Sequence, residues 1–79
     1  MNTTEIYDRL NDVFRDVFDD ENITVHDETV AKDIEGWDSL MHITLMQAVE
    51  DEFDVKFSMK EIVGLHKVGD LVSTIEKKA

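Results

Sequence analysis

The sequence predicts an all-α bundle of three principal helices and one short one, and three observations carry that expectation. Apolar residues recur at spacings of three and four in three separate stretches. Residues that cap helices stand ahead of several of them. Strand-like alternation is confined to Asp54-Val55-Lys56-Phe57, too short a run to build a sheet. No proline, repeat or low-complexity tract divides the 79 residues, so a single domain over 1–79 is expected.

The first helix is opened by Asn2, Thr3 or Thr4, with Glu5 well placed in the first turn. Ile6, Leu10, Val13, Phe14, Val17 and Phe18 form its apolar side, opposite Asp8, Asp12, Arg15 and Asp16. Asp19, Asp20 and Glu21 are disfavoured at a helix C-terminus, so it ends near Phe18. From Asp19 to Trp37 the periodicity is lost. A loop this long is unusual in a compact domain. Ile23, Val25, Val30 and Ile34 are therefore expected to pin it over the core, with one short turn near Thr29 to Lys32.

Asp38 or Ser39 caps the second helix, which runs to Phe53. Spacing at 100° places His42, Leu45, Met46, Val49 and Phe53 on its core side, with Ile43 at the margin. Leu40, Met41, Thr44, Gln47 and Asp51 fall elsewhere, which leaves apolar side chains facing outward near Ser39. Phe57 is expected to be buried after an extended link. Ser58 and Glu61 have the spacing of a capping box and open a short helix, Met59 to Val63, which Gly64 closes. Val68, Leu71, Val72 and Ile75 mark the last helix, ended by Lys77 and Lys78.

Composition narrows the function. A hydrophobic content of 42% supports a folded core despite the net charge of -11. Nineteen acidic against eight basic residues argue against nucleic acid, whose binding rests on neutralising phosphates. They suit partners with basic patches instead. With no cysteine, any thiol that the protein uses must come from a prosthetic group. The charged first twenty residues do not read as a signal peptide, and no run nears the roughly 18 apolar residues of a membrane span. A cytoplasmic monomer is the expectation.

The most informative stretch is Gly36-Trp37-Asp38-Ser39-Leu40. It sets a serine hydroxyl in the first turn of a helix, where unpaired N–H groups and the positive dipole end favour a phosphate. A serine there most often serves as a cap. Nothing around Ser39 suggests chemistry of its own, so it reads as a serine to which something is attached.

A long helix, an acidic loop, D-S-L opening the second helix, "AVEDEFDVKF" at its end and "VGDL" in the last helix together resemble the acyl carrier proteins. The resemblance spans nearly the whole chain. It implies that Ser39 receives 4'-phosphopantetheine from coenzyme A, with Asp38 and Leu40 as motif flanks read by the phosphopantetheinyl transferase. It implies a non-catalytic carrier of acyl or aminoacyl thioesters, served by an acyl or aminoacyl ligase, ketosynthase or acyltransferase. The second helix is then the docking face, through Trp37, Leu40, Met41, Thr44, Gln47, Glu50 and Asp51. Met41 and Thr44 stand where fatty-acid carriers show acids, and Trp37 replaces a small residue. That pattern looks more like carriers of polyketide, nonribosomal-peptide or surface-polysaccharide systems.

Other readings compete. His42, one turn from Ser39, suggests a hydrolytic base, but there is no G-x-S-x-G elbow or evident oxyanion site. His42 reads more simply as a packed core residue with one hydrogen bond. A calcium loop from Asp19 fails at Thr24 and Val30, where glycine and glutamate are required, and no metal site is expected. His26 and His66 read as isolated loop residues. Trp37 is open to a second role, as anchor of the long loop. Met46 and Met59 read as packing residues. An acidic interaction module without a prosthetic group is the alternative from another class.

Overall fold

The computed structural model describes residues 1–79 and contains four α-helices and no strand. Helix α1 spans Thr3–Val17, α2 Ser39–Phe53, α3 Met59–Val63 and α4 Val68–Lys78. A 3-10 turn, Ala31–Asp33, interrupts the loop between α1 and α2. This is the predicted all-α bundle. Asn2 caps α1 by accepting the Glu5 N–H at 2.8 Å. The capping box of α3 forms as expected, Ser58 Oγ accepting from Glu61 N and Glu61 Oε1 from Ser58 N. Ile6, Leu10, Val13 and Phe14 of α1 close on Leu45, Met46, Val49 and Phe53 of α2 and on Val68, Leu71, Val72 and Ile75 of α4. Phe57 joins this core, as does Val55, whose position in the extended link gave no periodic signal.

Two details depart from expectation. The loop turn lies slightly downstream, because Asp33 Oδ2 reaches back to the Val30 N–H. Ile23, Val25 and Ile34 pack on the core, but Thr29 rather than Val30 is the buried member of that segment. Thr29 is admitted because its hydroxyl accepts the His26 N–H at 3.0 Å. Gly64 closes α3 as expected, in a right-handed conformation, whereas Asp54 caps α2 in the left-handed region and Asp19, just past the Phe18 cap of α1, also has a positive φ.

The long loop is also held by polar contacts that hydrophobic spacing does not reveal. Asn11 Oδ1 accepts the Val25 N–H, and Arg15 Nε donates to the Ile23 carbonyl at 2.7 Å. Helix α4 has no side-chain N-cap, so its first N–H groups use the loop instead. Val68 donates to the Thr29 carbonyl at 2.9 Å and Gly69 to that of Asp27 at 3.0 Å. A Cβ on Gly69 would meet the Asp27 carbonyl oxygen at 3.1 Å, so a larger residue there would push the loop back by a few tenths of an ångström. Tyr7 adds a hydrogen bond to Asp27, and its phenol pKa is raised, first by burial and then by that carboxylate.

Candidate functional site

The approach to Ser39 is built by Gly36 and Trp37. Gly36 has φ of 89°, and a Cβ there would meet only ordinary contact, so backbone conformation alone explains the glycine. Trp37 is half-buried, with its ring edge-on to Phe14 at 5.3 Å between centroids and 6.1 Å from Phe18. It anchors the end of the long loop to α1. Its indole N–H donates to His42 Nδ1 at 3.1 Å.

Asp38, not Ser39, is the N-cap of α2: its Oδ1 accepts the Met41 N–H at 2.8 Å and its carbonyl the His42 N–H. Ser39 is therefore the first residue of the helix, exposed, with a hydroxyl that makes no hydrogen bond within the chain. The Ser39 and Leu40 N–H groups also lack intramolecular partners. A free hydroxyl beside two unpaired donors at a helix N-terminus suits an anionic ester. These residues fit a phosphate-linked prosthetic group.

Ser39 and Asp38 also line a cavity of about 530 Å³ between α2, α3 and the start of α4. Its walls are mainly apolar, formed by Trp37, Ile43, Met46, Ile62, Leu65 and Leu71 among others. Met59 and Val63 stand at this cavity with relative exposures of 68% and 69%. Met59 is thus not the packing residue expected. His66 and Lys67 line the cavity as well, the lysine ammonium 3.5 Å from Glu28.

His42 also departs from expectation. It is half-buried beside the cavity, and makes two hydrogen bonds: Nδ1 with Trp37 and Nε2 with the Ile62 carbonyl at 3.2 Å. Neither nitrogen bonds to Ser39, so the pair is not set up as a nucleophile and base. Along the outward face, Leu40 (76% exposed), Thr44, Gln47 and Asp51 lie one above another. Met41 is half-buried rather than outward, and Glu50 is half-buried because its carboxylate accepts the Phe57 N–H at 2.7 Å. Sequence reasoning missed the cavity lining from α3 and the loop beyond it.

Residues 8–75 match the family profile described as "Phosphopantetheine attachment site". Acyl carrier protein 3 of Ralstonia nicotianae is 29% identical over 96% of this chain and 87% of its own. The solution structure of a holo acyl carrier protein from Geobacter metallireducens superposes with a TM-score of 0.85 at 43% identity, covering 91% of this chain and 83% of that one. A putative acyl carrier protein from Mycobacterium tuberculosis, 24% identical, shares the fold with a TM-score of 0.80 over 91% of this chain and 96% of that one. No helix is long and apolar enough to cross a membrane. The matched segment and the holo relative make the cofactor covalently bound 4'-phosphopantetheine, and the chain belongs to the acyl carrier protein family.

Proposed function

We propose that Ser39 carries the 4'-phosphopantetheine and that the chain, catalysing nothing itself, presents thioester-bound intermediates to the enzymes of a dedicated biosynthetic pathway. The observation that carries this reading is a hydroxyl free of internal bonds, beside two unpaired N–H groups. Asp38 takes over the capping role and leaves Ser39 available. When bound, the arm supplies the thiol that a chain without cysteine lacks. Flexible tethering raises the concentration of cargo at each docked active site.

The apolar cavity beside Ser39 favours acyl over aminoacyl cargo. Leu40, Thr44, Gln47 and Asp51 are the face offered to the transferase and to a ligase, ketosynthase or acyltransferase. Thr44 in place of an acid near the serine favours a specialised pathway over housekeeping fatty-acid synthesis. The cytoplasm, where coenzyme A is available, is the proposed location.

Intact mass after incubation with coenzyme A, magnesium and a broad-specificity phosphopantetheinyl transferase tests the assignment. The expected result is a gain of one arm that disappears in Ser39→Ala. A folded wild-type chain of unchanged mass would overturn it and favour an interaction module without a prosthetic group.

A further inference from the structure

His42 joins two parts of the molecule that the backbone leaves separate. Nδ1 meets the Trp37 indole N–H at 3.1 Å, and Nε2 meets the Ile62 carbonyl of α3 at 3.2 Å. An indole nitrogen only donates and a carbonyl oxygen only accepts. One protonation state satisfies both: neutral imidazole, bare at Nδ1 and protonated at Nε2. Trp37 precedes Ser39 by two residues, whereas Ile62 belongs to a helix with no buried residue of its own.

We infer that His42 is a positioning residue for the Ser39 segment, holding Trp37 through Nδ1 and α3 through Nε2, so that the seating of α3 and the presentation of Ser39 are linked. This rests on the reading of Ser39 as the attachment residue. Displacing α3 from α2 removes the Ile62 acceptor that fixes the imidazole. The ring is then free to turn and Trp37 loses its oriented partner. Its remaining contacts, edge-on to Phe14 and beside Phe18, are less directional. The strap at the base of the attachment loop then loosens together with the cavity wall.

Three measurements on the full chain test the inference. Nitrogen-15 spectra of the imidazole should show the neutral form with its proton on Nε2; a proton resident on Nδ1 at neutral pH overturns the proposal. Exchange of the Trp37 indole N–H should accelerate about tenfold in His42→Phe, as expected for losing one hydrogen bond. In His42→Asn an amide oxygen replaces Nδ1 as acceptor. Because that oxygen lacks the Ile62 anchor, indole protection should fall there, though less than in His42→Phe, while α3 amides exchange faster. His42→Gln keeps a donor for Ile62, so α3 protection should persist while that of the indole is lost.

Loading of Ser39 supplies the functional readout. The KM for the transferase should rise about fivefold in His42→Phe and His42→Gln, with kcat unchanged, because a disordered loop must be ordered on binding. His42→Asn, which keeps the acceptor for Trp37 without the anchor on α3, should fall between the wild type and His42→Phe. An unchanged KM in His42→Phe, or His42→Asn behaving like His42→Phe, overturns the positioning role. If even the wild type is not loaded, the attachment reading fails, while the imidazole spectrum and indole exchange still decide whether the bridge exists.

Discussion

Helices α1 and α3 show opposite ways of belonging to one small domain. Helix α1 completely buries Ile6, Leu10 and Phe14 between α2 and α4. Helix α3, five residues long, buries none. It is too short for a repeating apolar stripe, and its one partly buried apolar side chain, Ile62, faces the cavity. Beyond the packing of Ile62 on the core, polar ties hold it: the Ser58–Glu61 capping box, the ion pair from Glu61 to Lys78 at 3.1 Å, and His42 on the Ile62 carbonyl. One side of the molecule is therefore a packed handle. The side next to Ser39 is a wall kept in place by a few replaceable contacts, and low local stability is what movable elements have in common.

The strongest way to break this contrast is on the handle. Phe14→Ala removes a fully buried ring that also supports Phe18 and Trp37. It should cost about 3–5 kcal/mol, comparable to the whole stability of a domain this size. Urea denaturation should find it largely unfolded; a shift below about 1 kcal/mol would refute the central place given to that ring.

Ile62→Ala should cost much less, about 1 kcal/mol, because the side chain is only half-buried. Hydrogen exchange should show the loss concentrated in α3, with α1 protection nearly unchanged. Equal losses in both helices would mean that α3 is as integral as α1.

Acidification sharpens the comparison further. The Glu61 pKa is lowered, first by the Ser58 backbone N–H and then by Lys78. A depressed carboxyl contributes fully above its ordinary range, and that contribution disappears as pH falls through the lower folded value. Wild-type α3 amides should therefore lose protection on acidification below the usual carboxylate range, ahead of α1. Glu61→Gln should lack that step, and an identical pH profile in both proteins would contradict the assignment.

The smallest expected effect on the fold is at the outward face of α2. Thr44→Glu at an exposed site should change stability by under about 0.5 kcal/mol. On the proposed carrier role it should nevertheless change which ketosynthase or ligase accepts the protein. Partner rates equal to the wild type would remove Thr44 from the docking surface.

Much of this architecture was legible beforehand. The starts of three helices were located to within a residue or two by Asn2 to Thr4, by Asp38 or Ser39, and by the Ser58–Glu61 pair, because capping is a local exchange of hydrogen bonds within four residues. The core sides of α1 and α4 followed from spacing, since both helices meet neighbours along their apolar stripes. The same spacing misplaced Met41 and His42, both half-buried. A helical wheel says which residues share a side, not whether another element stands there to cover them. Next to α2 and α3 lies a cavity, so side chains that spacing assigns to a core line a space instead. The pinning of the long loop by Asn11, Arg15 and the first turn of α4 was likewise illegible, because those bonds join residues far apart in the chain.

By itself, then, the sequence determined the helices, the capping box of α3 and the serine in the first turn of α2, since each depends on neighbours within a turn or on a repeating apolar pattern. Only the tertiary structure decided that Asp38 leaves the Ser39 hydroxyl uncommitted, that Trp37 anchors the loop, and that His42 ties Trp37 to α3. Those outcomes depend on which donor finds which acceptor across the fold, and distance along the chain carries no record of that.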